Sequence, residues 1–184
     1  MTEITERDRE ILAFISEFKC VNSDIIAQLF FSDANNKVML ANRRLRKLFE
    51  VGKLNRSKRT DILEPYLYYK GSKPSNYKHS LLIAKAYIDI SNKYEIVKYK
   101  REYEVKYNNK TLRADLMAIA KDDKGKLRAF IIEIQNAKQY RDKWTEYINQ
   151  DYWQQKFGVK PEIIVYSRFN SYTSSIPIHF IKLE

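Results

Sequence analysis

The chain has 184 residues, 44% of them hydrophobic, with a net charge of +11 and a pI of about 9.5. That size suits one medium domain or two small ones with real cores, and the scarcity of Gly and Pro excludes a collagen-like or linker-dominated chain. The single cysteine, Cys20, excludes an internal disulfide and a cysteine metal cluster, while the basic balance points to an anionic partner, nucleic acid before an acidic membrane surface.

The opening MTEITERDRE is charged throughout and lacks the apolar segment of a signal peptide. No apolar run approaches the roughly 18 residues of a membrane span. A cytoplasmic protein without a membrane partner is therefore expected. Thr5 followed by Asp8 resembles a capping box with Asp in place of Glu or Gln. Ile11, Leu12, Ile15 and Phe18 follow at helical spacing. A second short helix is predicted over Ser23–Phe31, with Ser23 as N-cap and Ile25, Ile26, Leu29 and Phe30 as its apolar members. The stretch SDANN, Ser32–Asn36, carries turn chemistry. A third helix should follow over Lys37–Glu50, with Val38, Ala41, Leu45 and Leu48 on one face and Gly52 marking its end.

The polar side of that third helix carries Asn42, Arg43, Arg44, Arg46 and Lys47. Beyond it, GKLNRSKRTDILEPYLYYKG reads as two strands around a basic turn. From Arg43 to Arg59 there are eight Lys or Arg residues against one acid, Glu50. Arg and Asn can contact base edges bidentately, and Lys and Arg neutralise phosphate. Three short helices before a basic hairpin resemble a winged helix-turn-helix, over about the first seventy residues. In that family the third helix enters the major groove and the wing touches phosphates or the minor groove. The resemblance implies double-stranded DNA as partner, with Lys37, Asn42, Arg43, Arg46 and Lys47 facing the groove and Arg56, Lys58 and Arg59 on the wing. The plainer alternative is a solvated basic face. The concentration of charge on one helix and the hairpin after it favours DNA.

Gly, Pro, Ser and Asn cluster within Tyr68–Ser80, which divides the chain into residues 1–72 and 73–184. Ile83, Tyr87, Ile90 and Tyr94 predict a helix from Ser80 to about Tyr94. Strands are expected over Ile96–Tyr107, Thr111–Ala120, Leu127–Gln135, Glu162–Ser167 and Ile178–Leu183. Tyr140, Trp144, Ile148 and Tyr152, spaced by four, predict a long aromatic helix over about Lys138–Phe157.

Two acids stand where these strands would otherwise carry core residues. With a hairpin turn near Asp123-Lys124, antiparallel pairing sets Asp115 opposite Glu133, with Cβ atoms about 5 Å apart. A one-residue slip would put them on opposite faces. Glu133 and Gln135 share a face because side chains alternate. Two carboxylates so close repel, so one must be protonated, paired or metal-bound. Mg²⁺ suits oxygen ligands and keeps waters and a substrate phosphate, as phosphodiester hydrolysis requires. The alternative is ordinary ion pairing of Asp115 with Arg113 or Arg128, and of Glu133 with Lys138.

Helix, three strands, helix, strand is also the element order of the restriction-endonuclease-like, or PD-(D/E)XK, nucleases, and the resemblance runs from roughly Ser80 to Tyr166. Their motif is an acid early on the second strand and Glu-X-Lys late on the third. It implies a site of Asp115, Glu133 and Gln135, with Asp115 and Glu133 holding Mg²⁺ or Mn²⁺. Gln135 stands where the family usually has lysine and Ala114 where it often has proline, which puts the activation of the attacking water in doubt.

Together the two halves resemble the replication-relaxation family of plasmids and other mobile elements, which joins a winged helix to a degenerate nuclease-like domain. The matching residues are Arg43-Arg44-Leu45, Gly52-Lys53-Leu54, His79, Arg113-Ala114-Asp115, Ile132-Glu133 and Tyr147. The resemblance implies an α+β protein that binds double-stranded DNA in replication, DNA relaxation or conjugative mobilisation. Its partners would include a relaxase or replication protein, with a homodimer also open. The alternatives are an active metal-dependent endonuclease or nickase, and a winged-helix transcription regulator.

Overall fold

The computed structural model describes residues 4–57, 64–135, 142–169, 174 and 176–183. They form two compact units, Met1–Ile88 and Asp89–Glu184, in a mixed α+β protein.

The first unit opens with α1 (Glu6–Phe18). Its capping box is complete: the Thr5 amide donates to Asp8 Oδ2 at 2.8 Å, and the Asp8 amide donates to Thr5 Oγ1 at 3.3 Å. A two-residue strand, β1 (Cys20–Val21), precedes α2 (Ser23–Phe30). The N-cap of α2 is Asn22 rather than Ser23. Asn22 has extended backbone angles and its Oδ1 accepts the Ile25 amide at 3.1 Å, while Ser23 is already helical and buried. The third helix, α3 (Lys37–Glu50), buries Ala41, Leu45 and Leu48. Val38, read as part of that face, is 41% exposed beside Met39 at 58%.

After α3, β2 (Asn55–Arg56) and β3 (Tyr68–Tyr69) pair antiparallel, and β3 also pairs with β1, giving the sheet order β1-β3-β2. Helix α4 (Tyr77–Ser91) starts earlier than its apolar spacing indicates. The units divide inside it, at Ile88/Asp89, rather than at the Gly- and Ser-rich stretch before it. The reason is packing: the Tyr87 ring lies against Phe14 and Phe18 of α1, at 5.5 and 5.3 Å, so most of α4 belongs with the first unit's core.

The second unit is a five-stranded sheet of β4 (Glu95–Tyr107), β5 (Lys110–Lys121), β6 (Leu127–Gln135), β7 (Glu162–Ser167) and β8 (Ile178–Lys182), in that order. The first three strands run antiparallel to one another, and β6, β7 and β8 run parallel. Between β5 and β6, Asp122 Oδ1 accepts the amides of Lys124 and Lys126, and Gly125 takes the positive φ of 75° that the turn requires. This turn sets the β5–β6 register.

On one sheet face the pairs Ile119–Ala129 and Met117–Ile131 pack in a cluster with Trp144, Tyr147, Ile148 and Val165. Burying each large apolar side chain stabilises by about 1.5–3 kcal/mol. On the opposite face Phe130 meets Tyr94 at 5.0 Å, and the Tyr166 hydroxyl donates to Asp89 Oδ2 at 3.0 Å.

The long aromatic helix is not continuous. Residues 136–141 lie outside the described set, and beyond them stand two short helices, α5 (Thr145–Asn149) and α6 (Gln154–Phe157). Asp142 Oδ1 accepts the Trp144 and Thr145 amides at 3.1 Å each, which starts α5 at Thr145. Asp151 adopts φ 55°, which no helix interior accommodates, and Gly158 ends α6 in the left-handed region. Spacing by four reflected burial of Trp144 and Ile148 in one cluster, with Tyr152 packed against it, not an unbroken helix. No helix among the described residues is long and apolar enough to cross a membrane.

Candidate active site

The β5–β6 ladder pairs Met117 with Ile131 and Leu116 with Ile132. The ladder ends at that pair, and just beyond it Asp115 lies near enough to Glu133 for its charge to act on that carboxyl. There a side chain takes over from the ladder: Asp115 Oδ2 accepts the Ile134 amide at 2.7 Å. A sheet face of apolar pairs thus ends in a pair of carboxylates.

Glu133 is 8% exposed. Its Oε1 accepts the indole N–H of Trp144 at 2.8 Å and lies 3.0 Å from Lys143 Nζ. Lys143 also donates to the Arg113 carbonyl at 2.6 Å and sits 5.6 Å from the Trp144 ring centre. Burial pushes the Glu133 carboxyl up from 4.5 to about 7. The neighbouring Asp115 charge pushes the same way, while Lys143 and Trp144 pull against them.

The ion pairs offered as an alternative go elsewhere. Arg113 pairs with Glu102 at 2.9 Å and Arg128 with Glu162 at 2.6 Å. Lys138 lies outside the described residues. Gln135 ends β6, half-buried, beside Ser167 of β7 and on the same strand face as Glu133.

The donor set can be tested against a metal. Among the described residues no group of three or more His, Cys, Asp or Glu converges, which disfavours Zn²⁺. Mg²⁺ needs only one or two carboxylates, the rest of its shell being water and phosphate, and Mn²⁺ accepts the same oxygens. Asp115 and Glu133 fit that requirement. Glu133 Oε1 is committed to Trp144 and Lys143, which leaves Oε2 as the oxygen for a cation.

The basic residues of the first unit fall into distinct settings. Asn42, Arg43, Arg46 and Arg56, with Met39 and Tyr66, line a groove of about 570 Å³ between α3 and the strands. Arg43 is exposed, and Arg46 pairs with Glu50 one turn on at 2.8 Å. The Arg56 guanidinium lies 4.5 Å from the Phe49 ring and 4.1 Å from that of Tyr66. Lys37 begins α3, and Lys47 lines, with Arg43, a second hollow of about 1100 Å³. Lys58 and Arg59 lie outside the described residues. Arg44 lines that second hollow too, but its charge is already engaged. It grips Asp8 of α1, which is fully buried, and also donates to Thr5 Oγ1 at 3.0 Å. Burial pushes the Asp8 carboxyl up, but the hydrogen bonds from Arg44 and Thr5 outweigh it and hold the group below its ordinary value.

Sequence reasoning missed the contacts of Lys143 and Trp144 with Glu133, and the Arg44–Asp8 pair. The only sequence signal for the first was Trp144 in the spacing by four. For the second it was Asp8, whose capping role concealed its ion pair.

No protein-family model matches this chain, and no curated protein does. Among solved structures, it is similar to a repair endonuclease from Pyrococcus abyssi, with 14% identity over 72% of this chain and 66% of that one, at a TM-score of 0.38. A structure of EndoMS in apo form matches with 12% identity over 71% of this chain and 64% of that one, at 0.31. A protein from Vibrio cholerae matches at 13% identity over 89% of this chain and 42% of that one, at 0.32. This chain spans less than two thirds of the length of each.

Proposed function

We propose that this protein binds double-stranded DNA through its first unit and cuts a phosphodiester bond with the Asp115–Glu133 pair of its second, using Mg²⁺ or Mn²⁺. The observation that carries the reading is the carboxylate pair closing an otherwise apolar sheet face, with Glu133 buried and Lys143 at its rim. Two acids and a cation grouped at a strand end suit an anionic substrate better than they suit a core. Asp115 and Glu133 would hold the metal ion, which when bound polarises a phosphoryl oxygen and activates water. Gln135 would orient that water through its side-chain amide.

DNA binding draws support from the element order α1-β1-α2-α3-β2-β3 with sheet order β1-β3-β2, the arrangement expected of a winged helix. The groove lined by Asn42, Arg43, Arg46 and Arg56 adds to it. The replication-relaxation resemblance supports a mobile-element setting, with a relaxase or replication protein as partner.

A second reading rests on two contacts to one oxygen. Trp144 and Lys143 both satisfy Glu133 Oε1 without a metal, as would suit a retired site in a protein that only binds DNA. The deciding experiment is Mg²⁺- and Mn²⁺-dependent nicking of supercoiled plasmid by wild type, Asp115→Ala and Glu133→Ala, with gel shifts in parallel. Nicking lost in both variants while binding persists supports the nuclease. Salt-sensitive binding without nicking by wild type leaves the DNA-binding reading alone.

A further inference from the structure

We infer that Lys143 is a catalytic residue of this site: its ammonium contacts the scissile phosphate and supplies the positive charge that the strand position occupied by Gln135 does not. This rests on the nuclease reading above. Lys143 Nζ is held at two points, 3.0 Å from Glu133 Oε1 and 2.6 Å from the Arg113 carbonyl oxygen. An ammonium has three N–H donors and no acceptor, so two are spent on anchoring and one remains. The side chain is 38% exposed, so that remaining donor can meet a ligand arriving from solvent. The Trp144 indole fixes the same Glu133 oxygen and its ring flanks the lysine at 5.6 Å. The lysine is therefore pinned at the rim of the carboxylate pair, with charge to offer to an anion.

The electrostatics explain why a cation is needed there. Asp115 and Glu133 present negative charge to a substrate that is itself an anion, so a phosphate approaching them without compensation is repelled. A single divalent ion at the pair balances the carboxylates and leaves the phosphate's own charge to be met. That charge rises as water attacks. The water oxygen–phosphorus bond forms, the bond from phosphorus to the leaving oxygen breaks, and the water's proton passes by way of solvent to the leaving oxygen. Lys143 transfers no proton in this scheme. It donates a hydrogen bond to a non-bridging phosphoryl oxygen and strengthens as charge accumulates there. Gln135, neutral and half-buried at the end of β6, brings no positive charge to that oxygen. A lysine entering from the segment before α5 does the same work from another side.

The test uses the full-length protein and supercoiled plasmid with Mn²⁺, comparing wild type, Lys143→Gln, Lys143→Arg and the double variant Lys143→Gln with Gln135→Lys. Mn²⁺ binding is followed separately by paramagnetic resonance and by quenching of tryptophan emission. Lys143→Gln is expected to slow nicking at least 100-fold while binding Mn²⁺ as tightly as wild type or more so. Lys143→Arg should stay within about tenfold of wild type, and lysine at position 135 should recover at least tenfold of the lost rate. Nicking by Lys143→Gln at the wild-type rate overturns the inference and leaves the nuclease reading standing. Loss of Mn²⁺ binding in Lys143→Gln, or a loss of nicking that neither arginine at 143 nor lysine at 135 restores, overturns it in favour of a structural ion pair. A wild type that does not nick overturns both readings together.

Discussion

Replacing Glu133 with glutamine should stabilise the metal-free protein, and chiefly at neutral to alkaline pH. Burial raises the Glu133 carboxyl from 4.5 to about 7, with Asp115 adding to the rise. Below about pH 4.5 the group is protonated in both the folded and unfolded chains, and the glutamine differs little from it. Between 4.5 and 7 the unfolded chain releases a proton that the folded chain retains, so wild-type stability falls as pH rises. Above about 7 the folded protein carries a buried carboxylate and the loss is complete. A displacement of this size corresponds to roughly 3 kcal/mol, at about 1.36 kcal/mol per unit. Glutamine keeps an oxygen to accept the Trp144 indole N–H but carries no charge to desolvate. Urea unfolding in EDTA at pH 5 and pH 8.5 measures the effect. With a slope of about 2 kcal/mol per molar, the variant's midpoint should exceed that of wild type by about 1.5 M at pH 8.5 and by only about 0.4 M at pH 5. A variant less stable than wild type at pH 8.5 would refute the reasoning, because the Lys143 pairing would then outweigh the cost of burial.

Trp144→Phe removes a donor to the ionised Glu133, so the titration of that carboxyl, followed by carbon-detected NMR, should move above pH 7 rather than below it. Arg44→Ala leaves Asp8 buried without its partner and should cost about 3–5 kcal/mol in urea unfolding, with Arg44→Ala in an Asp8→Ala background costing much less. The Arg44–Asp8 contribution is present above the ordinary carboxyl value of 3.8 and is lost as pH falls through the lower folded value, so wild type and Arg44→Ala should converge in strong acid. Arg43→Ala should weaken binding to double-stranded DNA by about 1–3 kcal/mol in fluorescence anisotropy, and wild-type affinity should fall steeply between 50 and 200 mM salt. Mg²⁺ at pH 8 should raise the urea midpoint of wild type more than that of Glu133→Gln, since an ion held by the carboxylates stabilises only the folded chain.

Much of this protein was fixed by local chemistry. The Thr5–Asp8 capping box, the Ala41, Leu45 and Leu48 stripe of α3, and the limits of β6 and β7 follow from caps and periodicity, which depend on near neighbours alone. The proximity of Asp115 and Glu133 was legible for the same reason: a short Asp-rich turn sets the register, which holds as far as Leu116 and Ile132, the residues next to the two acids. What the sequence could not determine depends on groups distant along the chain. The start of α5 turns on Asp142 and the break before α6 on the left-handed Asp151, against a four-residue spacing that equally suits one helix or two. β1, only two residues long, carries no periodicity and exists through its pairing with β3. Arg44 looked like one basic residue among several until Asp8, 36 positions away, proved to be its buried partner. Lys143 and Trp144 meet Glu133 only because the chain returns across the sheet face after β6. Strand register is a short-range property, whereas the charge and burial that surround a carboxylate belong to the tertiary fold.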